Sequence, residues 1–265
     1  MTLHPTVTPV STSLVLTRRD GPVARLILND PGRANALSSA MIEALGRALA
    51  AAAADPGTRA IVLAAEGRVF SAGHDLAELR VSDDRAAHKA LFDRCSALML
   101  AIVECPKPVI AQVQGAAVAA GCQLVASCDL AYAAQEARFA VSGIDLGLFC
   151  STPSVALSRA VGRKAAAEML FTGRFVGVDE AAAIGLINRA VAAEDLDRTV
   201  DEVAATIAAK SGEAMALGKT LFRRQLELPI AQAYAAAGDT MAENLSFPSA
   251  RSGIDGFLAR RSAPR

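Results

Sequence analysis

The segment from Pro108 to Leu130, PVIAQVQGAAVAAGCQLVASCDL, narrows the possible folds more than any other part of the chain. Val109–Val113 is a short apolar run, as expected of a buried strand. Gly115 turns the chain. The stretch from Ala116 to Ser127 then reads as a helix of small residues, with no proline and no β-branched run beyond Val118. A strand that turns tightly into a helix points free backbone N–H groups at whatever lies above the turn. Ala116, Ala117, Ala119, Ala120 and Gly121 would let another molecule come close to that backbone. Such an arrangement stabilises a developing negative charge without a charged side chain. A helix packed tightly on a sheet favours the same residues, and this stretch alone leaves both readings open.

The chain has 265 residues, enough for one main domain with a large core. Its 27 basic and 27 acidic side chains balance, and it has two Tyr and no Trp. That argues against a nucleic-acid partner, which calls for a basic surplus and aromatic stacking. No apolar run is long enough for a membrane span, so no membrane partner is expected. Residues 1–13 begin without a basic, apolar leader pattern and are expected to form a loose arm. The five cysteines, Cys95, Cys105, Cys122, Cys128 and Cys150, are odd in number and contain no C-x-x-C pair. They read as reduced residues of an intracellular, cytoplasmic protein. His4, His74 and His88 are too scattered to form a metal site with them.

The remaining elements follow from local signals. Leu14–Thr17 and Val23–Leu28, with Asp20-Gly21 between them, predict a hairpin. Ser38 predicts a helix N-cap, with Leu37 and Ile42 as a hydrophobic staple, and Asp55-Pro56-Gly57 ends that helix. Arg59–Ala64 reads as a buried strand. EGRVFSAGHDLAEL reads as a strand leading into a turn at Gly73. Asp83–Val103 reads as an amphipathic helix buried through Leu91, Cys95, Leu98, Met99 and Ile102. After a strand at LAYAA the chain is mostly helical, with a short strand at Leu186–Val191. Helix density rises after residue 195, which suggests a core over 14–195 and a helical region over 196–265.

Two segments, FSAGHDLAEL (Phe70–Leu79) and QGAAVAAGCQLVASCDL (Gln114–Leu130), resemble the enoyl-CoA hydratase/isomerase, or crotonase, superfamily. NALS at Asn35–Ser38, the TG…EA…GL pattern over Thr172–Leu186 and the ending GFLARR extend the resemblance from about Leu14 to Arg261. The run GLFCSTPSVALSRAV is similar to one subgroup within it. The resemblance implies an α/β fold: a spiral of strand–strand–helix turns followed by a helical C-terminal oligomerisation region. It also implies a homotrimer or a dimer of trimers. The implied substrate is an acyl-coenzyme A thioester, with coenzyme A entering as part of that substrate and no separate cofactor.

By the same resemblance, the backbone N–H groups of His74 and Ala120 would bind the thioester carbonyl oxygen, where fixed dipoles stabilise developing charge. Ala120 stands where most relatives have glycine, so its position must not require a positive φ. Arg33, Ala34, Ala72, Asp75, Leu76 and Ala77 would lie along coenzyme A. Phe257 and Arg260 would approach it, often from a neighbouring subunit, with a guanidinium suited to phosphate. Asp75 also reads as a turn cap.

The chain departs from the family at two catalytic positions. The two glutamates that activate water in the hydratases fall at Gln123 and Gly143. Glutamine orients water but cannot take its proton, and glycine does neither. A positioned acid or base contributes about 10²–10⁴-fold, so ordinary hydration should be much weakened. Asp145, two residues beyond Gly143, is a candidate replacement because extended spacing returns it to the same face. The His74 ring and the Cys150 thiol are further candidates, weighed against plain packing. The expected function is an enoyl-CoA hydratase-like enzyme of weak or atypical activity. The alternatives are a decarboxylase of the methylmalonyl-CoA type and a non-catalytic acyl-CoA-binding or regulatory protein.

Overall fold

The computed structural model describes residues 13–262. The arm expected over 1–13 therefore lies, apart from Ser13, outside the described residues. Strands β1 (Val15–Asp20) and β2 (Val23–Leu28) form the antiparallel hairpin. Helix α1 (Ser39–Ala54) begins where the Ser38 hydroxyl accepts from the Met41 N–H at 3.2 Å. Leu37 and Ile42, the expected staple, are both buried in the main core.

Three turns of a strand–strand–helix spiral follow. The first is β3 (Ala60–Ala65), β4 (Val69–Ser71), α2 (Leu76–Leu79) and α3 (Arg85–Glu104). The second is β5 (Val109–Val113), β6 (Ala116–Val118) and α4 (Ala120–Ser127). The third is β7 (Leu130–Ala134), β8 (Arg138–Ala140), α5 (Ser151–Ala160) and α6 (Arg163–Thr172). The first strand of each turn joins a six-stranded sheet, ordered β1-β2-β3-β5-β7-β10, and the second joins a four-stranded sheet, ordered β4-β6-β8-β9. The two sheets are completed by β9 (Val176–Gly177) and by β10 (Arg189–Val191), which follows α7 (Val178–Ala183). Strands β2, β3, β5, β7 and β10 run parallel, as crossovers through helices require.

Alternation along β3 explains why its whole run is apolar. Ile61 and Leu63 face the main core, while Ala60 and Val62 face a second cluster on the other side of the sheet. That second cluster is closed by Leu196, Val200 and Ala204 of α8 (Leu196–Ala208). Helix α8, just past residue 195, thus supplies the cover for the outer face of the sheet. The helices without such cover are α9 (Gly212–Gln225), α10 (Ile230–Ser246) and α11 (Pro248–Ser262). No residue of α9 is buried. It is held instead by ions: Asp129 accepts from Lys219 Nζ at 2.6 Å and from Arg223 Nη2 at 3.0 Å.

One element differs in kind from the sequence reading. Ala116–Val118 is a strand, and the helix begins at Ala120. Small residues permit either state. Parallel pairing of β6 with β4 on one side and β8 on the other decides it. Among the described residues, no helix is long and apolar enough to cross a membrane.

Candidate active site

The site is built at the junction between β6 and α4. Ala119 joins them at φ 49°, ψ −116°, and its N–H donates to the Ala140 carbonyl of β8 at 2.8 Å. This left-handed conformation is usually taken by glycine, and a β-carbon there carries strain. The kink ends β6 and starts α4 within one residue. Ala120 itself is free of positive φ. As the first residue of α4 it has an N–H without an intrahelical acceptor.

The loop after β4 comes to this helix start. Gly73 lies at φ +88°, and a β-carbon on it would sit 3.0 Å from the Ala120 nitrogen and 2.8 Å from the Val118 carbonyl oxygen. The closeness is fixed from both sides. A β-carbon on Gly121 would stand 2.3 Å from the Ser71 carbonyl oxygen, so α4 packs on β4 at backbone contact. On the outer side Leu37 N–H donates to the Gly73 carbonyl at 2.7 Å, and Ala72 N–H donates to the Ala34 carbonyl at 3.0 Å. The segment that supplies the Ala34 acceptor and the Leu37 donor is held by buried Asn35. Its side-chain amide donates to the Glu66 and Val69 carbonyls, each at 2.8 Å.

His74 and Ala120 thereby reach the wall of one cavity of about 400 Å³. Apolar side chains make most of the remaining wall, including Leu79 and Phe92 from the α2–α3 side and Leu148 and Phe149 from the loop before α5. Among the described residues, no Asp, Glu, Lys or Arg lines it. Phe92, Leu148 and Phe149 were not singled out in the sequence. Phe92 sits one position off the buried stripe of α3, and an aromatic just off a core stripe was the available signal.

The coenzyme A candidates divide by location. Arg33, Ala34, Ala72, Asp75, Leu76 and Ala77 come together beside the cavity, and Ala72 and Leu76 line it. Asp75 is the N-cap of α2, accepting from Ala77 N–H at 3.0 Å, and it also pairs with the Arg33 guanidinium. Phe257 and Arg260 lie on α11, do not line the cavity and are exposed.

The acid–base candidates are less favourably placed. Gly143 lines the cavity, but Asp145 does not: its carboxylate packs against Gly173, 2.8 Å from where a β-carbon there would stand. The loop forms a 3₁₀ turn over Ser142–Leu146, so two-residue spacing does not return a side chain to the same face. Gln123 is buried on α4, one helical turn beyond Ala120. It is not a wall residue, and its Oε1 is buried without a hydrogen-bond partner. The His74 ring stacks edge-on against Phe92 at 5.3 Å, and both of its nitrogens are buried with no well-aligned hydrogen bond, the Leu37 carbonyl being only nearby. Burial lowers its pKa, opposed by the Leu37 carbonyl and the Glu78 carboxylate. Those nitrogens are shielded from solvent, which favours the neutral ring. Cys150 lines the cavity; burial raises its thiol pKa, opposed by the Gly143 backbone N–H.

Comparison with known proteins agrees with this architecture. The profile of the family described as enoyl-CoA hydratase/isomerase matches residues 18–264. A relative in Xenopus laevis, "Enoyl-CoA hydratase domain-containing protein 3, mitochondrial", is 43% identical over 250 residues, covering 94% of this chain and 85% of that protein. A crystal structure of enoyl-CoA hydratase from Mycobacterium smegmatis superposes with a TM-score of 0.92 at 55% identity, covering 93% of this chain and 96% of the other. That of human enoyl coenzyme A hydratase domain-containing protein 3 gives a TM-score of 0.91 at 40% identity, covering 95% and 100%. The expected cytoplasmic location is overturned by these relatives, since those from Xenopus, rat and human are named mitochondrial. Reduced cysteines report a reducing environment, which does not single out the cytoplasm.

Proposed function

Because the chain belongs to the enoyl-CoA hydratase/isomerase (crotonase) family, we propose that it is an enoyl-CoA hydratase-like enzyme acting on an acyl-coenzyme A thioester, with atypical chemistry. The observation that carries this reading is the meeting of the Gly73–His74 loop and the start of α4 at one cavity, with a Gly73 β-carbon position 3.0 Å from the Ala120 nitrogen. The His74 and Ala120 N–H groups polarise the thioester carbonyl, and charge that moves onto its oxygen is held by dipoles already in place. Arg33 and the Ala72–Ala77 segment hold the coenzyme A portion. Phe257 and Arg260 act across a subunit contact in a homotrimer or dimer of trimers. Exposed Phe222, Leu226, Ile230 and Tyr234 on and between α9 and α10 support such a contact.

Water addition would lack a carboxylate base, since among the described residues no acidic one lines the cavity. That same observation favours a second reading, in which a malonyl-type thioester loses carbon dioxide. The electron pair of the breaking C–C bond then passes into the enolate held by the two N–H groups, and the enolate carbon takes a proton from solvent water, so no base is needed.

The test is turnover of a panel of 2-enoyl, 3-enoyl, 3-hydroxyacyl and malonyl-type thioesters, with Gly73→Ala as control. A methyl group at Gly73 covers the Ala120 nitrogen and should cost about 10²–10³ in kcat, the usual cost of one such donor. Addition or loss of water supports the first reading, and release of carbon dioxide supports the second. Binding without product means a non-catalytic role. Failure to bind any thioester, or full activity in folded Gly73→Ala, overturns the site.

A further inference from the structure

The cavity holds more than a thioester carbonyl and its neighbouring carbons. Its volume of about 400 Å³ is many times the roughly 10–15 Å³ that one water requires. Its far wall is apolar and continues onto the surface. Leu146 and Phe149 line the cavity while remaining 67% and 40% exposed. The Phe149 ring meets the Phe171 ring of α6 at 6.1 Å between centroids, and Phe171 is 68% exposed. Single exposed apolar side chains are ordinary, but a track running out of a cavity marks a binding surface.

We infer that the site takes an uncharged acyl chain of medium or greater length, whose tail leaves the cavity over Phe149 and lies against Phe171. The inference rests on the proposed thioester reading, since the carbonyl held by His74 and Ala120 sets where the chain starts. Under the first, hydratase-like reading, two observations select this occupant. The track is continuous with the cavity through Phe149, and the cavity wall offers no charged side chain to a second polar group. Phe149 and Phe171 are then specificity-determining residues: they select chain length and take no part in the reaction.

The test is calorimetric affinity for saturated acyl-coenzyme A esters, from acetyl through butyryl, octanoyl and dodecanoyl to palmitoyl, which separates binding from turnover. Burial of each methylene should tighten binding about fourfold up to octanoyl, with a shallower gain beyond it. Phe171→Ser, at an exposed position, should reduce the ratio of dodecanoyl to butyryl affinity about tenfold. A flat series overturns the inference and leaves the thioester reading standing. So does a Phe171→Ser variant that weakens all lengths alike, or one that changes subunit number but not length dependence, which would make Phe171 a subunit contact. No binding of any ester, butyryl included, overturns the thioester reading and this inference with it.

Discussion

The Sγ atom of Cys150 stands 2.8 Å from the point where a β-carbon on Gly143 would sit, and the Leu148 carbonyl oxygen is nearer still, at 2.4 Å. Position 143, where the resemblance would put a glutamate, is therefore closed to any side chain. The thiol can be trimmed by substitution, but the Leu148 carbonyl is backbone and cannot move without the loop.

Restoring the family's carboxylates should consequently fail. Gln123→Glu combined with Gly143→Glu is expected to give no gain in hydration of crotonyl-coenzyme A. Gly143→Ala alone should lose about 1–3 kcal/mol of stability through overpacking, read from urea unfolding. A double variant that hydrates faster than wild type would show that the loop opens at low cost.

Ala119 should be the opposite case. At φ 49° it holds a β-carbon in a conformation that glycine takes freely. Ala119→Gly is expected to raise stability by up to about 1 kcal/mol, since relief of strain exceeds the added unfolded-state entropy. Ala119→Val should lower it. An unfolding midpoint that drops in Ala119→Gly would contradict the assigned strain.

Asp129 holds α9 to the core. Its carboxylate accepts from Val109 N–H at 2.8 Å as well as from Lys219 and Arg223, and Lys219 is only 7% exposed. Asp129→Asn removes the counter-charge and leaves the Lys219 ammonium only neutral acceptors such as the Ile102 and Lys107 carbonyls, and should cost about 2–4 kcal/mol, somewhat below a fully buried pair. Hydrogen exchange in α9 should accelerate while that of β3 and β5 changes little. Equal acceleration everywhere would mean that the pair supports the whole fold and not the helix alone.

His74 gives a pH dependence of known sign. Burial lowers its folded-state pKa, so the folded protein binds fewer protons than the unfolded chain. Its contribution is fully present above the unfolded value of about 6.5 and is lost as pH falls below it. Unfolding free energies measured from neutral to mildly acid pH should therefore fall more steeply in wild type than in His74→Phe, which keeps an aromatic contact with Phe92. Parallel curves would remove His74 from the effect.

Local and periodic features of the sequence were enough for much of the framework. Ser38 announced α1 because a hydroxyl before a helix satisfies free N–H groups. The stripe Leu91, Cys95, Leu98, Met99 and Ile102 marked the buried face of α3 because helical spacing puts those residues on one side. The motif at Phe70–Leu79 and the small residues after Gly115 pointed to a backbone-lined site, and the resemblance they carry named the family. Tertiary structure decided what spacing cannot express. Whether Ala116–Val118 became strand or helix depended on partners in β4 and β8, both remote in sequence. Asp145 was assigned by two-residue spacing, but a 3₁₀ turn carried its carboxylate to Gly173. The closure of Gly143 by Cys150 and Leu148, and the meeting of Phe149 with Phe171, are contacts made when separate segments pack. Such contacts depend on where the chain goes in space, which residue types and their intervals leave open.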